Sequence, residues 1–244
     1  MTLLLLSFAL RTIALTEIPP GLHNDEVVEI QITESVANGR VGVFFPEDTG
    51  HETLYYYVAA PFVRIFANTP FALRLLSAFL SMISMSIVWA LTRRLLGITE
   101  ALTALVGFGI LFWPVLFGRI ISHVSMEVPL AALAAYCFWR ARSLQGARAM
   151  GLWALSGLWL GLSINAYTAA RVLPAIYVAF GLYALLTNKA GWQDWWKGIG
   201  IALAIAALVS LPLALYLLRN PAADQLSFFD IDRPLVELKK GNFG

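Results

Sequence analysis

"PFALRLLSAFLSMISMSIVWALTRR", residues 70–94, decides the class of the fold. From Pro70 to Thr92 it holds a single charge, Arg74, and two arginines close it at positions 93 and 94. About 20 such residues, wound as an α-helix, cross the roughly 30 Å of hydrocarbon in a bilayer. Residues 70–92 therefore read as a transmembrane helix. Further along the chain, residues 99–117, 126–139, 149–166, 171–187 and 198–218 read the same way. Towards the start, residues 2–16 are apolar apart from Arg11, with no basic segment in front and no small-residue cleavage site before Pro19-Pro20. That pattern reads as a first membrane helix rather than a signal peptide. The expectation is an all-α polytopic membrane protein of about seven transmembrane helices. Composition agrees, since 59% hydrophobic and 13% charged residues, with a mean hydropathy of +0.73, cannot be hidden in a soluble core.

The basic residues set the orientation. Arg93, Arg94, Arg140, Arg142, Arg148, Lys189 and Lys197 fall in alternate connections, which the positive-inside rule assigns to the cytoplasm. The loop of residues 17–69 then faces outward, with eight of the fifteen acids in the chain. It carries two helical patterns. In the first, Asn24 or Asp25 suits the N-cap, Val28, Ile32 and Val36 form a stripe, and Asn38-Gly39 suits the stop. The second runs from about His51 to Ala67. Both read as amphipathic surface helices. Residues 1–218 make one membrane domain, and 219–244 begin a further external loop of what reads as the front part of a longer polypeptide. The net charge of +2 and the absence of a basic patch give no support for nucleic acid, and the single Cys137 excludes a disulfide framework.

Charges in apolar helices are costly unless they face a cavity or a partner. Arg11, Arg74, Arg119, Glu127 and Arg171 are such charges, and all fall near the outer ends of their helices. With Asp25 and Glu26 they form a mixed cluster on one side of the membrane, suited to a reaction in which a phosphate leaves and a hydroxyl is deprotonated. Each also has a plainer reading. Asp25 suits a helix cap, Arg74, Arg119 and Arg171 suit headgroup anchors, and Glu127 suits an arginine partner. His123 suits a structural hydrogen bond, and Tyr55-Tyr56-Tyr57 suits mainly an interfacial belt. No metal-binding motif of recognised spacing is present, although Asp25, Glu26, His51, Glu52 and Glu127 leave a divalent cation open.

Residues 18–62, "IPPGLHNDEVVEIQITESVANGRVGVFFPEDTGHETLYYYVAAPF", resemble the N-terminal half of bacterial family 39 type glycosyltransferases. So do "FALRLLSAF", "GRIISHVSMEVPLAALAAYCFWRAR" and "GLSINAYTAARVLP". These enzymes are similar to protein O-mannosyltransferases and to the lipid A aminoarabinose transferase. The resemblance implies a GT-C type helical bundle in which Asp25, with Glu26 beside it, stands at the position of the catalytic base. It places phosphate contact at Arg171, with Arg74, Arg119, His51, Glu52 and Tyr167 as further substrate-binding candidates. It also implies a polyprenyl-phosphate sugar as donor, the bilayer and a glycan, lipid or protein acceptor as partners, and an outward-facing site at the plasma membrane. From the residues alone, a transporter or flippase of a lipid-linked or anionic substrate and a non-catalytic membrane subunit stay open.

Overall fold

The computed structural model describes residues 2–48, 50–187 and 192–223. Its axis is the opening stretch, helix α4 (Pro70–Leu95). Thr69 caps it by accepting from the Ala72 amide, Pro70 supplies a preset φ in the first turn, and Arg93 and Arg94 sit in the last turn. Its 26 residues rise about 39 Å, enough to cross a bilayer.

On one side of α4 lie α1 (Thr2–Thr12) and α5 (Ile98–Ile110), and on the other α7 (Val124–Ala141). The row continues through α8 (Gly146–Ile164) to α10 (Trp192–Arg219), with α9 (Leu173–Thr187) packed near its end. Small residues set the α8–α10 contact. A Cβ on Gly157 would meet the Ala202 carbonyl at 2.3 Å, and one on Gly161 would meet Val209 at 2.7 Å. Gly157 and Gly161 are four residues apart, so they share one face, and the backbones of two parallel helices approach across it.

Four helices are long and apolar enough to span a membrane: Pro70–Leu95, Gly146–Ile164, Thr168–Thr187 and Trp195–Arg219. The expected count of about seven is not reproduced among the described residues. Thr2–Thr12 and Ile98–Ile110 are apolar but short. The expected span 99–117 is in fact two helices, α5 and α6 (Phe112–Phe117), separated at Leu111 in extended geometry. Pro114 is the physical cause, because its ring would clash with the carbonyl four residues back, at Ile110. The freed carbonyls are answered by Arg11, wholly buried in α1. Its guanidinium donates to Phe108 O at 2.8 Å and Gly109 O at 3.1 Å, and also to Ser81 Oγ and Ser7 O. A broken helix inside an apolar bundle needs such a donor.

The loop of residues 17–69 folds over one end of the bundle. Helix α2 (Asn24–Ala37) stops at Asn38-Gly39, as expected, with Gly39 at φ +100°. The cap is a correction, since His23, not Asn24 or Asp25, holds the N-cap position. The second helix, α3 (Leu54–Phe66), begins later than expected. Residues His51 and Glu52 instead form strand β2, paired antiparallel with β1 (Phe44–Phe45). Of the tyrosine run, Tyr55 and Tyr56 are fully buried rather than interfacial, and Tyr57 bonds Gly42 through its hydroxyl. Ile32, Val36, Phe45, Tyr55, Leu73, Ile121 and Leu130 pack into one core that fixes this loop to α4 and α7. Lys189 and residues 224–244 of the expected external segment lie outside the described residues.

Candidate functional site

The site begins with a segment that has no regular structure of its own. Residues 13–23 leave α1 and turn back to α2, and their carbonyls are collected by two arginines. Arg119 donates to Leu10 O, Ile13 O, Ala14 O and Ile18 O, at 2.5, 2.7, 3.4 and 2.9 Å. Arg74, 1% exposed, donates to Leu15 O, Pro19 O and Gly21 O. Side chains from α4 and from the α6–α7 connection thus pin the entry to α2.

Glu26 completes that anchor. Its Oε1 accepts from Arg74 Nε at 3.3 Å and the Ile121 amide at 2.9 Å. Its Oε2 accepts from Arg74 Nη2 at 3.3 Å and the His23 amide at 3.1 Å. The last contact is half of a capping box with the His23 side chain. Asp25, one residue earlier, points the other way, with its side chain 75% exposed in the first turn of α2. The N-terminal end of a helix favours a carboxylate there. The two acids expected to work side by side therefore have opposite surroundings, Glu26 buried and saturated, Asp25 exposed with only His23 Nδ1 near its carboxylate, at 3.6 Å.

One turn further along α2, Glu29 is buried and paired with His123, whose ring Nδ1 and backbone amide both face its Oε1. Burial alone would raise the Glu29 pKa, but the hydrogen bond and charge of His123 hold it below the usual carboxylate range. Burial would likewise lower His123, and its bond to Glu29 outweighs this and raises it. Asp25 lies four residues before Glu29 in α2, so the two share one side of the helix. The His51 ring stands edge-on to His123 with centroids 5.3 Å apart. Its pKa is lowered by burial, despite Glu29 nearby. Tyr167 also packs against His123, at 5.3 Å between ring centroids.

Beside this group Glu52, wholly buried, accepts from Arg171 Nη2 at 2.8 Å and Thr168 Oγ1 at 2.6 Å. The short 3₁₀ turn Thr168–Val172 after α8 supplies both donors, and the Leu54 amide ties this end of α8 to α3 through Asn165 O.

Of the residues singled out in the sequence, Asp25, His51, Glu52, Tyr167 and Arg171 come together at one end of the bundle. Arg74 and Arg119 do not join them as ligand-facing cations, because Arg74 is turned to carbonyls and to Glu26, and both Nη groups of Arg119 are turned to carbonyls. Glu29 and Thr168 escaped the sequence reading. Glu29 had a signal, since it lies three residues before Ile32 and seven before Val36 and so puts an acid on the buried face of α2.

Comparison with known protein families gives a match. The family model described as dolichyl-phosphate-mannose-protein mannosyltransferase covers residues 51–218. No curated protein and no solved structure matches.

Proposed function

We propose a reaction from the premise that this chain belongs to the dolichyl-phosphate-mannose-protein mannosyltransferase family, whose model covers more than two thirds of it. By family it is a membrane glycosyltransferase. Its donor is a polyprenyl-phosphate sugar and its acceptor a hydroxyl on the extracytoplasmic face of the plasma membrane. Asp25 takes the acceptor proton as the acceptor oxygen attacks the anomeric carbon. The bond from that carbon to the phosphate oxygen breaks, and polyprenyl phosphate leaves. Arg171 meets the phosphate, held by Glu52, and a planar guanidinium suits an anionic oxygen pair.

The observation that carries this reading is the contrast in α2. Asp25 is exposed beside a buried charged cluster, while every oxygen of Glu26 is already engaged. A base must reach its substrate, and of these two acids Asp25 is the exposed one. A transporter would gather its charges at mid-depth, whereas these lie at one end of the bundle. The test uses membranes holding the full-length protein, supplied with labelled polyprenyl-phosphate sugars. Asp25→Asn should cut sugar transfer by about 10²–10⁴-fold while leaving donor binding intact. Transfer at the wild-type rate overturns the assignment.

A further inference from the structure

We propose that Glu29, His51 and His123 bind one divalent transition-metal ion of the zinc class. The three residues come from separate elements: α2, β2 and the N-terminal boundary of α7. Each offers a ligand atom, and all three atoms lie within 4.8 Å of one another. Two imidazoles and one carboxylate are a donor set suited to zinc, which bonds nitrogen and oxygen at about 2.0–2.2 Å. Tetrahedral geometry at those lengths separates ligand atoms by about 3.4 Å. A gap at that 4.8 Å limit closes by roughly 1.4 Å to reach this spacing.

The second observation is what the cluster lacks. A structural Glu–His hydrogen bond accounts for His123 Nδ1 and Glu29 Oε1. It does not account for His51, which is 6% exposed and has no hydrogen-bond partner at either ring nitrogen, nor for His123 Nε2. Three imidazole nitrogens are thus buried in one place with nothing to bond, an arrangement that native structures avoid. A cation takes one nitrogen from each imidazole and one oxygen from Glu29. Around the cluster, Tyr167 packs on the His123 ring, and Glu52 adds negative charge nearby. Three protein ligands leave one position of a four-coordinate ion for water or a substrate oxygen.

This site stands apart from the transferase reading, because its readout is metal content. The full-length protein is purified in detergent, stripped with a chelator, dialysed against Zn²⁺ and analysed for bound metal. Co²⁺ gives a parallel readout through its visible spectrum. The folded protein should retain one equivalent of zinc, and His51→Gln and Glu29→Gln should each weaken binding at least tenfold, as losing even an outer-shell partner does. Glu34→Gln, on the exposed face of α2, should bind as wild type does. If Glu29→Gln does not fold, His51→Gln decides alone, since His51 makes no hydrogen bond whose loss would unfold the chain. The absence of saturable zinc uptake, or equal uptake in wild type and His51→Gln, overturns the proposal.

Discussion

Replacing Glu26 by glutamine tests whether this acid is an anchor or a reactant. The side chain keeps its shape, yet one of two oxygens becomes an NH₂ group. Each oxygen accepts from one Arg74 nitrogen and one backbone amide, so either orientation of the amide sets donors against donors. Two hydrogen bonds to a charged acceptor are lost, each worth about 1.5–3 kcal/mol. Arg74, 1% exposed, also loses its counter-charge. Both estimates converge on about 3–5 kcal/mol, the usual cost of breaking a buried ion pair from one side. For a chain of this size that lowers the melting midpoint by roughly 10 °C, at about 2–4 °C per kcal/mol. The assay is thermal unfolding of the detergent-solubilised chain by intrinsic fluorescence, with Asp25→Asn as comparison. Asp25→Asn, three quarters exposed, should melt with wild type. A Glu26→Gln protein that melts within about 2 °C of wild type would refute the anchoring role, since by the same scale it would leave less than about 1 kcal/mol for four hydrogen bonds.

Other substitutions probe the bundle and the site. Gly157→Ala should lose about 1–3 kcal/mol or more through the clash with Ala202, while Gly151→Ala, with nothing near its Cβ, should be neutral or slightly stabilising in the same thermal assay. Arg11→Leu should destabilise by about 2–6 kcal/mol, because Phe108 O and Gly109 O at the α5 break lose their donors, each at about 1–3 kcal/mol. Partial proteolysis should then open the chain near Leu111. Arg171→Lys should raise the donor KM by about tenfold with a smaller change in kcat, because a point charge replaces a bidentate fork. An unchanged KM would remove Arg171 from the phosphate contact.

Local rules, which act over a few residues, made the helices legible. The apolar run at 70–92 and its closing arginines are α4, and Asn38-Gly39 is the stop of α2. Family resemblance and the match over 51–218 agree on the class of protein. Reading stopped where one residue's role depended on a distant one. Arg74, Arg119 and Arg171 look alike in sequence, each a lone cation near the end of an apolar helix. Only folding showed that Arg119 serves carbonyls about 100 residues away and Arg74 serves Glu26, while Arg171 joins Glu52. Asp25 and Glu26 are neighbours that the α-helix turns about 100° apart, so burial, not adjacency, separates their roles. The Glu29–His51–His123 cluster is the clearest case, because its three elements meet only when the external loop packs on α7. Hydropathy and punctuation determined which segments are helices and that several are apolar enough for a membrane, because those depend on the chain near each residue. The tertiary structure alone decided which charges are buried against partners and which stay exposed, because a buried charge is defined by the partner that neutralises it.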